Sequence, residues 1–102
     1  MHRLVVSYGQ PADPAAFDAY YRETHTPLAL KQPGLVRLSF GHAQSLDPSQ
    51  PAPYLVAELD FESEQAMGES LASPEGKAAG GDLANFATGG VTFVHFDVQQ
   101  AS

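Results

Sequence analysis

The stretch Tyr20-Tyr21-Arg22-Glu23-Thr24-His25-Thr26-Pro27-Leu28-Ala29-Leu30-Lys31-Gln32-Pro33-Gly34-Leu35 decides the fold. It carries a histidine on the apolar side of a helix, stops the helix, and delivers the chain into a strand. Phe17, Tyr20, Tyr21, Thr24 and Leu28 recur around His25 at i, i+3, i+4, i+7, i+8 and i+11, which is the stripe of an amphipathic helix. His25 is therefore expected to look inward, where its ring needs a hydrogen-bond partner or a polar cavity, since an unpaired buried polar group costs roughly 1–3 kcal/mol. Pro27 disfavours helical geometry at Thr26, so the helix is expected to kink or end near His25.

Upstream, Asp13-Pro14 supplies an N-cap with proline at the first helical position, and His2 to Tyr8 reads as a strand closed by the turn-rich link Gly9 to Pro14. Downstream, Pro33-Gly34 leads into a strand from Leu35 to Ala43, with Val36, Leu38, Phe40 and His42 alternating against Leu35, Arg37, Ser39 and Gly41. The polar segment Gln44 to Pro53 is a loop. Tyr54 to Phe61 is a third strand, with Leu55, Ala57, Leu59 and Phe61 on one face. Ser63 caps a second helix whose buried side is Met67 and Leu71. Ser73-Pro74-Glu75 restarts it, and Ala79, Leu83 and Phe86 keep helical spacing across Gly80-Gly81, a pair expected to weaken that helix. Val91 to Val98 is the last strand.

The order β-α-β-β-α-β over residues 1–102 is that of a single α+β domain of ferredoxin-like plan, an antiparallel sheet with helices on one face. The other face is left bare, yet the strands are apolar on both sides in places: Leu4, Val5 and Val6 in the first, and Thr92, Val94, Phe96 and Val98 against Val91 and Phe93 in the last. Two copies packing open face to open face would cover it, so a homodimer is expected.

Composition narrows the function. Twelve acidic against five basic side chains give a net charge of −7 with no basic cluster, which argues against nucleic acid and anionic membranes as partners. No apolar run approaches the ~18 residues of a membrane span, and no signal peptide is visible, so a cytoplasmic location is expected. The absence of cysteine excludes disulfides, thiolate ligands and a cysteine nucleophile. No glycine-rich nucleotide cradle or nucleophile elbow occurs, and the four histidines share no metal-ligand spacing, so neither a cofactor nor a metal site is expected. What remains open is a small, largely apolar ligand.

Phe17-Asp18-Ala19-Tyr20-Tyr21, Thr24-His25-Thr26-Pro27-Leu28 and Pro33-Gly34-Leu35, together with Ser73-Pro74-Glu75-Gly76 and the Asp82 to Phe86 stretch, resemble the EthD family, small proteins of the dimeric α+β-barrel superfamily associated with ethyl tert-butyl ether degradation. The resemblance covers nearly the whole chain, with Gly80-Gly81 its main departure. It implies a sheet that pairs with its twin into a barrel and a pocket between sheet and helices. For chemistry it implies an oxidoreductase label, beside superfamily relatives that are cofactor-free monooxygenases, polyketide cyclases and lactone isomerases. Other relatives bind haem, a reading in which His25 would be the axial ligand.

His25 reads two ways: as a general acid/base, because imidazole changes charge around neutral pH, or as a structural histidine that locks the kink at Pro27. The resemblance favours the first. Tyr21, one turn earlier, would donate its hydroxyl to the imidazole or to a substrate oxygen, unless it only fills the core. Tyr20 and Phe17 would line the substrate pocket. Arg37 and Glu58, on the non-apolar faces of their strands, would set polarity across the barrel or pair with each other. The expected function is thus a cofactor-independent oxidoreductase, monooxygenase, cyclase or isomerase acting on a small apolar organic molecule. The rival is a non-catalytic binding or accessory protein with a structural His25.

Overall fold

The computed structural model describes residues 1–102. Strand β1 (His2–Tyr8) leads to helix α1 (Pro14–Tyr20), a π-helical turn (Tyr21–His25) and a short helix α2 (Thr26–Ala29). Strands β2 (Leu35–His42) and β3 (Leu55–Phe61) follow, then helices α3 (Glu64–Ala72) and α4 (Pro74–Asp82), a 3-10 turn (Leu83–Asn85) and strand β4 (Val91–Asp97). The sheet order is β2-β3-β1-β4 with every neighbouring pair antiparallel. This is the ferredoxin-like α+β plan read from the sequence. No helix is long and apolar enough to cross a membrane.

Alternation builds the core. Leu4, Val6 and Tyr8 of β1 share a face with Leu55, Ala57, Leu59 and Phe61 of β3, and this face packs on Phe17, Tyr21, Met67 and Phe86 from the helical layer. The helices start where capping predicts: Asp13, Ser63 and Ser73 each accept a hydrogen bond from the backbone N–H three residues on. Helix α4 runs through Gly80-Gly81 without a break.

The first helix departs from expectation. It does not end near His25 but widens into a π turn, with the Thr26 N–H donating to the Tyr21 carbonyl five residues back, and continues as α2. The wider turn absorbs the place where Pro27 lacks an N–H. It also fixes which residues face inward. The buried set is Phe17, Tyr21, His25 and Ala29, spaced by four. A spacing of four overshoots a 3.6-residue turn and falls short of a π turn, so passing through both keeps the four on one face. Thr24 is exposed and Leu28 only half-buried for the same reason, and in α3 the buried residues are Met67 and Ser70, with Leu71 at the rim of the helical layer.

The opposite face of the sheet is mixed. Arg3 grips Asp60 through two hydrogen bonds of 2.8 and 3.2 Å and lies 4.0 Å from Glu58, while Val94 and Phe96 stand 59% and 47% exposed beside them. The Arg3 hydrogen bonds outweigh burial and hold the Asp60 carboxyl below the usual carboxylate range.

Candidate functional site

The π turn and the C-terminal end of α4 meet at one carboxylate. Asp82, the last residue of α4, is buried between the two helical segments and carries three donors. The Tyr20 hydroxyl donates to its Oδ1 at 2.5 Å, the Asn85 side-chain amide donates to the same oxygen at 2.9 Å, and His25 Nδ1 donates to Oδ2 at 3.0 Å. Phe86 packs beneath this group, its ring centroid 4.7 Å from His25 and 5.2 Å from Tyr20, so both rings are held in place by apolar contact as well as by the carboxylate. Burial alone would raise the Asp82 pKa, but the hydrogen bonds from Tyr20, Asn85 and His25 together lower it below the usual carboxylate range. Asp82 is therefore an anion at neutral pH. Its charge in turn pushes the Tyr20 hydroxyl above the ordinary phenol range, chiefly through the hydrogen bond.

With Nδ1 occupied by the carboxylate, the His25 proton is fixed on that nitrogen and the Nε2 lone pair is left without a partner in the chain. The ring lines a cavity of about 70 Å³ between sheet and helices. Leu4, Val6, Ala57 and Leu59 form its floor, and Tyr8, Tyr21 and His25 supply the polar edges. Leu71, Gly80 and Phe93, all exposed, stand at its mouth. Burial pushes the Tyr8 and Tyr21 hydroxyls well above the ordinary phenol range, with the neighbouring Tyr21 and Asp82 adding to the effect at Tyr8. Both phenols are thus held protonated as donors. Apolar walls with a few convergent polar groups are the make-up of a small-molecule site.

The expected residues divide between this cavity and its surroundings. His25 and Tyr21 line it side by side, ring centroids 5.5 Å apart, though the hydroxyl that completes the histidine network belongs to Tyr20. Tyr20 stands behind the site, on Asp82. Phe17 is a core residue, packed edge-on to Tyr8 and stacked with Tyr21. Arg37 and Glu58 lie on the other face of the sheet, and the guanidinium beside Glu58 is that of Arg3. His42 is 2.9 Å from Asp18 at the end of β2, outside the cavity. Asp82 and Tyr8 went unread. Tyr8 continues the inward alternation Leu4, Val6, Tyr8, which is a usable signal, whereas Asp82 is 57 residues from His25 and only the tertiary fold joins them. A haem does not fit: the cavity is far smaller than a porphyrin, and its floor is sealed by packed side chains.

Fold and site together define a ferredoxin-like α+β protein with an apolar pocket overlooked by a carboxylate-oriented histidine. The EthD domain model matches residues 9–90, and the chain belongs to the EthD family. It is 46% identical over 97 residues to an uncharacterized 11.0 kDa protein encoded in the thcB-thcC intergenic region of Rhodococcus erythropolis, covering 95% of this chain and 94% of that one. An EthD family protein of Bacillus halodurans has the same fold with a TM-score of 0.88 at 31% identity, over 97% of this chain and 99% of that one. The cofactor-independent oxygenase SnoaB of Streptomyces nogalater superposes with a TM-score of 0.68 at 21% identity, over 98% and 94% of the two chains.

Proposed function

We propose that the protein is a cofactor-independent enzyme whose first step is proton abstraction, by His25, from a small and largely apolar organic molecule held in the cavity. The observation that carries this reading is the Asp82–His25 pair at the cavity wall, with Nδ1 donating to Oδ2 and Nε2 free. A neutral imidazole in that tautomer takes a proton at Nε2, and the resulting imidazolium is stabilised by the carboxylate 3.0 Å behind it. The substrate would carry an acidic O–H, as in a phenol, or a C–H beside a carbonyl. Tyr8 and Tyr21 stay protonated and donate to the oxygen on which negative charge develops. The anion then reprotonates elsewhere, closes a ring, or reacts with dioxygen; the likeness to SnoaB supports the last outcome. In the same reading two copies pair through the open sheet face that bears Val94 and Phe96.

The test is turnover of a panel of phenolic, quinoid and lactone substrates, with and without dioxygen, by the wild type and by His25→Ala. General-base catalysis contributes about 10²–10⁴-fold, and a loss of that size is expected. Unchanged turnover in a folded variant removes His25 from the mechanism, and saturable binding without turnover by the wild type makes the protein a binding module.

A further inference from the structure

We propose that His2, His95 and Glu64 form a second site, for a divalent transition metal ion of the zinc type. None of the three lines the His25 cavity. Strands β1 and β4 pair antiparallel with His2 opposite Asp97 and Leu4 opposite His95, so the two histidines occupy diagonal positions on the helix side of the sheet. Glu64, the first residue of α3, arrives over them, and the ligand atoms of all three residues lie within 4.8 Å of one another.

The detail that turns proximity into a site is the orientation of His2. Its side chain is 5% exposed, and Asp97 Oδ1 accepts from Nδ1 at 3.2 Å. That contact fixes the tautomer and leaves the Nε2 lone pair aimed at His95 Nδ1, 2.9 Å away. A carboxylate behind the ligating imidazole is the arrangement that orients and strengthens histidine ligands in metal sites. Two nitrogens bound to zinc at 2.0–2.1 Å with tetrahedral angles stand about 3.3 Å apart, so the exposed His95 ring must turn its Nδ1 off the line to His2 and move out by a few tenths of an ångström to admit the ion. Glu64 adds a negative oxygen ligand, and the net charge of −7 favours any cation. Two imidazoles and one carboxylate leave the fourth tetrahedral position to water, a donor set suited to zinc, cobalt or nickel rather than to magnesium or calcium. The spacing rules that locate metal ligands in sequence are blind here, because His2 and His95 are 93 residues apart.

The experiment titrates tag-free, chelator-treated protein with zinc chloride in a calorimeter and with cobalt(II) by visible absorption. One ion per chain with a Kd tighter than about 10 µM is expected, together with the intense visible bands of tetrahedral cobalt. Glu64→Gln and His95→Gln alter exposed side chains and keep the fold, and each weakens binding at least tenfold. Asp97→Asn weakens it by about tenfold through His2. His42→Gln, at the unrelated histidine, leaves it unchanged. The proposal is overturned if zinc does not bind saturably at this level, or if His95→Gln and Glu64→Gln bind as the wild type does; His2 and His95 are then a hydrogen-bonded pair and nothing more.

Discussion

Replacing Asp82 by Asn tests the site without knowledge of its substrate. Two donors, Tyr20 and Asn85, converge on Oδ1, and one, His25, on Oδ2. The Asn carbonyl is therefore expected to take the Oδ1 place, which puts the amide N–H₂ against His25 Nδ1. Two donors cannot face each other, so the imidazole proton moves to Nε2 and the lone pair turns away from the cavity. Long-range proton–nitrogen NMR of the neutral ring reads the tautomer directly: Nδ1–H is expected in the wild type and Nε2–H in Asp82→Asn. Turnover should fall about 10²–10⁴-fold with it. Loss of the charge from three buried hydrogen bonds should cost about 2 kcal/mol, lowering Tm by roughly 8–16 °C in a domain of this size. The acid limb supplies a check of sign. The folded-state pKa of Asp82 is depressed, so its stabilising effect is present above the ordinary carboxylate pKa and is lost as pH falls through the depressed value. The part of the stability gap between wild type and variant that comes from the Asp82 carboxylate should accordingly be lost on acidification below the ordinary carboxylate range. An Nε2–H tautomer in the wild type, or no change of tautomer in the variant, refutes the reasoning.

Two further outcomes rest on packing. A Cβ at Gly76 would lie 2.1 Å from the Ser70 carbonyl oxygen and 2.8 Å from Leu71 Cα, both backbone atoms, so Gly76→Ala must part α3 from α4; a loss of about 3 kcal/mol is expected in chemical denaturation. Phe96→Glu places a charge on the open sheet face, and sedimentation should show the proposed homodimer replaced by monomer with the far-ultraviolet spectrum intact.

The fold was legible because its signals are local. Alternation at Leu55, Ala57, Leu59 and Phe61, caps at Asp13, Ser63 and Ser73, and the Pro33-Gly34 turn each act within a few residues, and together they leave one chain order. His25 was legible from the same kind of signal, an apolar stripe. The site around it was legible only in part, since its partner Asp82 sits on a helix whose glycine-rich sequence carries little periodicity, and the meeting of the two is a product of helix packing. The open face of the sheet was read as more apolar than it is: Arg3, Glu58 and Asp60 form a charged strip across β1 and β3, and charges paired across strands are invisible until register is known.

The π turn gives His25 a form of insulation from sequence drift. Arg22, Glu23 and Thr24 point to solvent, so their identities are free to change. A π turn is a helical turn with one residue more, so removing one of them would close it to an ordinary turn and leave the helix beyond facing nearly the same way. The aim of the histidine rests on the inward-facing residues on either side of the turn, and a family descending from such a chain would tolerate exchange along the outward-facing segment.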